Sequence, residues 1–560
     1  MKKTFFAIAL IFLSFSCTKP EEVIVPESSG FQRLATGTFY FSSLKIDNQS
    51  GNVNYYHISR NAVMRLYFSK KVDTTSVAAN VQLKENTTIV PVNFSYENND
   101  SVIVLTPQSA LKFITKYTLY IYPNLKSKKQ ELLGVSYQFN EITTIDSTDK
   151  FPRITDNKLL NLVEKKTFNY FWIWGHPLSG MAKERFTSGD IVTTGGTGFA
   201  IMAIPVAINR NFITRADGLA RVTKIVNFLD VYAQKYHGAY AHWINGNSGA
   251  TIPFSTYDNG ADLVETSYLM EGLLTARQYF NGTTTEEISL RTTINKLWQN
   301  VEWDWFTRGG QNVLYWHWSP NYGWTMNFQI KGWNEALITY VMAASSPTHP
   351  ITTTVYDNGW ASNGSIKNGS TYYGVQLPLG PSNGGPLFFE HYSFLGINPN
   401  GLKDTYADYH LQTQAHSLIN YNYCVSNPIR FNGYSDSCWG LTASDDNISG
   451  YSAHEPNNDL GIISPTAALS SFPYTPAQSM AALQFFYYKL GDKLWNSYYG
   501  FGDAFNLTDP WFDTDFLAID QMPVVVMIEN YRSNLVWNLF TGCPEVKTGM
   551  RNLGFTAPYL

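Results

Sequence analysis

Charge is scarce in this chain. Asp, Glu, Lys and Arg make up 15% of its 560 residues, and the net charge at pH 7 is −4. A balance so near neutral leaves no basic footprint for a polyanion, which sets nucleic acid aside. Cysteine is scarcer still, with four in all. Beyond Cys17 only Cys424, Cys438 and Cys543 remain, an odd trio that cannot pair completely. Cys424 and Cys438 could bridge in an oxidising compartment, but neither their spacing nor their neighbours suggest zinc. After the first residues no apolar run reaches the roughly 18 residues of a membrane-spanning helix. Gly-x-Ser-x-Gly and His-Glu-x-x-His are both absent, so a serine hydrolase or zinc protease has no support. Gly195-Gly196-Thr197-Gly198 lacks the strand, spacing and lysine of a phosphate loop.

What the chain has instead is aromatic residues: 36 Tyr, 35 Phe and 15 Trp, 15% of the total. Many must be core, but flat rings also stack on the C–H faces of sugars. At the N-terminus Lys2 and Lys3 precede an apolar run from Phe5 to Phe15 and then Ser16-Cys17. Residues 1–17 resemble a bacterial lipoprotein signal peptide of the loose Bacteroidetes kind, with Cys17 as the lipidated first mature residue. Residues 18–36 form a polar tether. The expected location is the cell envelope of a Gram-negative bacterium, periplasmic or outer-membrane surface, with a lipid anchor as the sole membrane contact.

Residues 37–145 alternate short β-rich runs with turn signals. Val63–Phe68, Ser101–Leu105 and Tyr117–Tyr122 are such runs, and Asn98-Asn99-Asp100 is a turn. The pattern predicts a β-sandwich. Phe68-Ser69-Lys70-Lys71-Val72-Asp73 and Leu105-Thr106-Pro107 resemble bacterial Ig-like modules. Residues 146–154 read as a linker. From 155 to 560 the periodicity is helical, starting with Leu159, Leu160, Leu162, Val163, Phe168 and Phe171. Further helices are predicted near 197–209, 216–236, 260–281, 286–301, 332–345, 403–424, 476–490 and 521–540, with Thr475-Pro476 as N-cap and N1 of one of them. Long loops at 237–259, 306–331, 346–390 and 428–475 are of the functional kind. The fold class expected is an Ig-like β-sandwich followed by an all-α (α/α)6 barrel.

Asp258, Asp262 and Glu265 are spaced i, i+4 and i+7, which gathers them on one side if the segment is helical. The next basic residue is Arg277, so no Lys or Arg neutralises them locally. Glycoside cleavage needs an acid for the leaving oxygen and a second carboxylate for water or for direct attack. Further candidates are Glu335 after Gly332-Trp333-Asn334, Glu390-His391, His454-Glu455 with Asp459, and Asp520 ahead of a helix bearing Glu529 and Arg532. Each has a structural alternative. Glu335 or Asp520 could favour a helix macrodipole, Asp258 could be an N-cap, and Glu529 could pair with Arg532. Toroidal lyases use Tyr and His, so His242, His391, His416 and His454 keep a lyase open.

The chain resembles a known family at these segments. Thr194-Gly195-Gly196-Thr197-Gly198-Phe199, the 258–267 stretch, Gly332-Trp333-Asn334-Glu335, Phe389–Gly396, Pro465–Ala468, Phe472–Pro476 and Met527–Arg532 look like the glucoamylase-like domain of bacterial secreted proteins, in order and over about 155–545. Within it the chain resembles glycoside hydrolase family 144, the inverting endo-β-1,2-glucanases. That resemblance implies the (α/α)6 barrel, Glu335 as general acid, and Asp258, Asp262, Glu265 and Asp520 around the cleavage point. Asp520 is first choice for activating water and Asp262 second. Met522 stands where the family more often has glycine in Asp-Gln-Gly-Pro. Inversion implies carboxyl groups about 6.5–9.5 Å apart, or more with a relay.

The expectation is therefore a glycoside hydrolase of β-1,2-glucan. Trp243, Trp316, Trp324 and Trp333 are the candidate sugar platforms, and Glu390, His391 and His454 are further contacts. No metal or organic cofactor is implied. The expected partners are an oligo- or polysaccharide and other components of a glycan-utilisation system. The alternatives are a glucoamylase-type α-glucosidase and a non-catalytic glycan-binding lipoprotein.

Overall fold

The computed structural model describes residues 39–560; the signal, Cys17 and the whole tether lie outside them. Ten strands come first: β1 (Phe41–Ile46), β2 (Gln49–Ser50), β3 (Asn54–Ile58), β4 (Met64–Phe68), β5 (Val81–Glu85), β6 (Thr88–Ile89), β7 (Val92–Glu97), β8 (Val102–Pro107), β9 (Lys116–Ile121) and β10 (Tyr137–Thr143). They form two five-stranded sheets, ordered β2-β1-β4-β8-β7 and β3-β10-β9-β5-β6. Alternation along β4 buries Met64, Leu66 and Phe68, and along β9 it buries Tyr117, Leu119 and Ile121. These inward rows make one shared core between the sheets.

From Asp156 onward the structure is helical, with two kinds of helix. In Thr194–Asn209 every residue from Thr194 to Ala207 is buried, and in Leu263–Tyr279 every residue from Leu263 to Ala276 is buried. Leu337–Ser345 and Pro465–Ser470 are wholly buried, and Ala518–Ser533 nearly so. Helices buried on all sides lie inside. Alternating with them in sequence are helices with one buried face: Asp156–Trp174, Arg215–Val231, Thr285–Gln299 and Pro476–Tyr488. The Thr194 and Leu263 helices approach backbone to backbone. A Cβ on Gly198 would lie 2.1 Å from the Tyr268 carbonyl oxygen, and one on Gly272 would lie 2.2 Å from the Gly198 carbonyl oxygen. Glycine is required here for close approach.

Several boundaries differ from the sequence reading. The helix expected from 260 starts at Leu263, because Ala261 and Asp262 pair with Trp318 and His317 as a short strand. The one expected from 332 starts at Leu337, and the one expected from 403 runs Tyr409–Ser426. The segment 521–540 splits at Asn534, whose φ of 58° ends one helix before Leu535–Phe540 begins. Glu529 and Arg532 do not pair with each other. Glu529 binds Arg210 at 2.6 Å, and Arg532 binds Glu164, tying three helices together. Cys424, Cys438 and Cys543 are free and buried, so among the described residues there is no disulfide. Among these residues no helix is long and apolar enough to cross a membrane.

Candidate active site

The 258–265 acids gather, but not on one helical face. Asp258 lies in the loop, Asp262 is the N-cap, and Glu265 is in the first turn. Asp262 Oδ1 accepts the Glu265 N–H at 2.9 Å, satisfying a donor that the helix start leaves open. Short sheets bring the histidines. Pairing of Asp262 with His317 puts that ring 3.6 Å from Asp262 and 3.5 Å from Asp258. Pairing of Thr193 with Trp243 places His242 beside the N-terminus of the Thr194 helix. His242 Nδ1 donates to Asp262 Oδ2 at 3.0 Å, and Nε2 is 3.9 Å from Glu265. Glu265 Oε2 also accepts the Gly195 N–H at 2.6 Å.

The neutralising cation that sequence spacing could not supply is thus His242. Burial works against its charge, but Glu265, Asp262 and Asp258 outweigh that and raise it to about 10. His317 goes the other way, down to about 4, because burial dominates. Burial, then repulsion from Asp262, raises Asp258 to about 7. Burial also opposes ionisation of Asp262, yet the His242 hydrogen bond and the two imidazoles hold it below the ordinary value. Glu265 is raised, mainly by burial.

Glu335 precedes the Leu337 helix and is half-buried. Asn334 caps the Ala336 N–H at 2.9 Å, and the Tyr268 hydroxyl lies 3.5 Å from the Glu335 carbonyl oxygen. Burial raises its carboxyl to about 7, with the fields of Asp262 and Glu265 adding to the effect. Asp520, in the first turn of the Ala518 helix, is also raised to about 7 by burial, against a 3.0 Å hydrogen bond from the Tyr392 hydroxyl. Its Oδ2 has no hydrogen-bond partner among the described residues. Tyr392 stacks edge-on against Tyr268, with centroids 5.7 Å apart. An aromatic pair therefore runs from Asp520 towards Glu335.

The aromatic candidates divide. Trp243, Trp316 and Trp324 are part-exposed, Trp243 beside Phe254 and Trp324 beside Trp305. Trp333 is buried, and its Nε1 donates to Glu390 at 3.1 Å. Glu390 also accepts from Gln412 and His416 and is fully buried. His391 binds Ser471 at 3.0 Å, and His454 is buried 3.7 Å from Asp446. Trp333, Glu390, His391 and His454 are thus buried supports rather than open sugar contacts. An indole N–H and a carboxylate must find partners when loops fold over them.

Sequence reasoning missed a second set of acids near Asp520. Arg185 holds Asp445 at 2.8 Å and Glu184 at 3.1 Å, with Asp503 and Asp513 close by. No spacing rule links residues so far apart. The Asp445-Asp446 doublet was the one local signal.

The family described as "Putative glucoamylase" matches residues 327–544, and a bacterial Ig-like domain matches 37–140. An exo β-1,2-glucooligosaccharide sophorohydrolase (non-reducing end) of Parabacteroides distasonis is 44% identical over 466 residues, 79% of this chain. This chain spans 64% of that relative's length. A crystal structure titled "putative glucoamylase" from Bacteroides uniformis is 55% identical with a TM-score of 0.72, covering 73% of this chain and 100% of that one. An endo-β-1,2-glucanase from Chitinophaga pinensis, solved with sophorotriose and glucose, is 49% identical with a TM-score of 0.71 at the same coverage.

Proposed function

The chain belongs to the bacterial glucoamylase-like family, of the glycoside hydrolase family 144 type, with an Ig-like domain on its N-terminal side; from that premise we propose that it is a glycoside hydrolase cleaving β-1,2-glucan. The observation that carries this is the Glu335 carboxyl, held protonated up to about pH 7 by burial and by the charges of Asp262 and Glu265. A half-buried acid of that strength is suited to protonating a glycosidic oxygen near neutral pH.

In the proposed mechanism Glu335 gives its proton to the leaving oxygen as the C1–O bond breaks. Asp520 takes a proton from water, directly or through a relay, and the water oxygen bonds to C1 from the opposite face. The product anomer is inverted, and exchange with solvent returns the two carboxyls to their starting states. Asp520 is favoured over Asp262 as base because both oxygens of Asp262 are engaged, by the Glu265 N–H and His242, whereas Asp520 Oδ2 has no hydrogen-bond partner among the described residues. Asp262 and Glu265 supply the field that helps keep Glu335 protonated, and His242 balances charge in the wall they form with Asp258. Trp243, Trp316 and Trp324 are the proposed sugar platforms. No step runs through a metal or organic cofactor. Internal cleavage is the reading supported by the likeness to the C. pinensis enzyme, which this chain spans in full.

The proposal extends to architecture and location. The helical part closes as an (α/α)6 barrel, a reading supported by the alternation of buried and one-faced helices along the chain. Lipid on Cys17 holds the protein at the cell envelope, among other components of a glycan-utilisation system. Cys17→Ala then moves the protein from the membrane to the soluble fraction.

Activity is tested on linkage-defined glucans with product sizing and anomer-resolved NMR. Wild type yields β-1,2-linked oligosaccharides of mixed size with inverted anomers. Glu335→Gln lowers kcat/KM by about 10²–10⁴ while retaining glucan binding. Glucose released from starch alone rejects the linkage, sophorose as sole product rejects internal cleavage, and wild type that binds but cleaves no glucan leaves a binding protein.

A further inference from the structure

The second acidic cluster is assembled from three separate segments. Asp445 lies in strand Ala443–Asp446, Asp503 precedes strand Phe505–Asn506, and Asp513 follows strand Trp511–Phe512. Pairing of Phe505 with Phe512 and of Asn506 with Trp511 draws the last two together, and the Asp513 N–H donates to the Ala504 carbonyl at 2.9 Å. Asp503 Oδ2 accepts the Asp445 N–H at 2.9 Å, which turns its carboxylate into the cluster. One oxygen from each of Asp445, Asp503 and Asp513 lies within 4.8 Å of the other two.

Two observations point to a ligand. Asp503 is 0% exposed, yet its Oδ1 has no hydrogen-bond partner among the described residues, and Asp513 Oδ2 shares that condition. Charge is also unbalanced. Arg185 is directed at Glu184 and Asp445, while Asp503, Asp513 and Asp520 have no Lys or Arg salt bridge among the described residues. Burial, then repulsion from Asp520 and Asp445, raises Asp503 well above the ordinary range. Protonating one carboxyl removes one charge and supplies a single O–H, whereas a cation among the three offsets the charge of all and engages both unpartnered oxygens. The His242–Asp258–Asp262 group also brings three ligand atoms together. There, however, His242 Nδ1 is already bonded to Asp262 and the imidazolium supplies the balancing charge.

We propose that Asp445, Asp503 and Asp513 form a binding site for a hard divalent cation of the calcium type, stapling together the three segments that carry them. The donors are all carboxylate oxygens, which selects hard cations over zinc or copper. Calcium takes six to eight oxygens at about 2.3–2.6 Å and accepts several carboxylates, whereas magnesium keeps its waters and is held through one or two, so three carboxylates favour calcium. The site is independent of the hydrolase reading, because its readout is binding.

The full chain is stripped with EDTA, exchanged into chelator-free buffer and titrated with calcium chloride by calorimetry and thermal unfolding. The expected result is one saturable site, with the folded-to-unfolded ratio rising about 100-fold when calcium is at 100 times Kd. Asp503→Asn and Asp513→Asn each weaken calcium binding by about tenfold or more, while Asp258→Asn leaves it intact. Calcium-free Asp503→Asn melts at or above the calcium-free wild type, since the amide cannot ionise against Asp445 and Asp520; a purely structural carboxylate would give the opposite shift. The proposal is overturned by wild type showing no saturable response at millimolar calcium, or by binding that survives both Asn variants. An equal response to magnesium overturns the calcium assignment.

Discussion

Replacing Tyr392 by Phe tests the acid–base assignment through its pH dependence. The Tyr392 hydroxyl donates to Asp520 at 3.0 Å and, ahead of Arg185, opposes the upward push of burial, leaving Asp520 at about 7. Glu335 also stands at about 7. The productive form needs Asp520 ionised and Glu335 protonated, so wild-type kcat/KM is bell-shaped, with both limbs near 7. With equal values the productive fraction peaks at about 0.25 near pH 7 and falls to about 0.01 two units away on either side. A hydrogen bond to a charged group is worth about 1.5–3 kcal/mol, so losing it raises Asp520 by about one unit or more. A one-unit rise moves the optimum to about pH 7.5 and lowers the peak fraction to about 0.06, roughly a fourfold loss, while the alkaline limb stays with Glu335. The assay is kcat/KM against pH on β-1,2-glucan with EDTA present, with thermal unfolding to confirm that the variant is folded. An acidic limb that does not move in a folded Tyr392→Phe protein refutes Asp520 as the ionising base. Movement of the alkaline limb alone would exchange the two roles.

Three further outcomes follow from buried groups away from the reacting bond. His242→Gln strips the imidazolium from three acids and destabilises the fold by about 3 kcal/mol, measured by urea unfolding. Its folded value of about 10 exceeds the ordinary 6.5, so the loss is complete below pH 6.5 and shrinks as pH rises through 10. Glu271 is buried with Oε1 on the Gly396 N–H and is raised well above the ordinary carboxyl value, mainly by burial. Its native form retains a proton that the unfolded chain releases, so wild-type stability falls with rising pH, and Glu271→Gln gains on wild type by about 1.4 kcal/mol per pH unit above the ordinary value until the folded value is passed. Equal pH slopes in the two proteins would contradict that. Gly198→Ala drives a methyl into the Tyr268 carbonyl and lowers stability by about 1–3 kcal/mol or more; an unchanged melting temperature would mean that the helices separate freely.

Local chemistry was legible in the sequence. Alternating residues of β4 and β9 specify a two-faced sheet, and Thr475-Pro476 marks a helix start that the structure keeps. The acids at 258, 262 and 265 announced a charged wall, and the order of the motifs announced the family. Which groups meet was decided by tertiary structure. His242 and His317 reach the acids through strand pairings with segments distant in sequence, so no helical spacing could reveal the imidazolium that balances the wall. Trp333 and Glu390 looked like sugar contacts as residue types, but loop folding made them partners of each other. Asp445, Asp503 and Asp513 are unremarkable singly and become an acidic cluster because three segments converge. Sequence determines residue chemistry and short-range conformation, since both are set within a few bonds. Burial and electrostatic coupling act through space, so proton affinities and ligand sets exist only once the chain has folded.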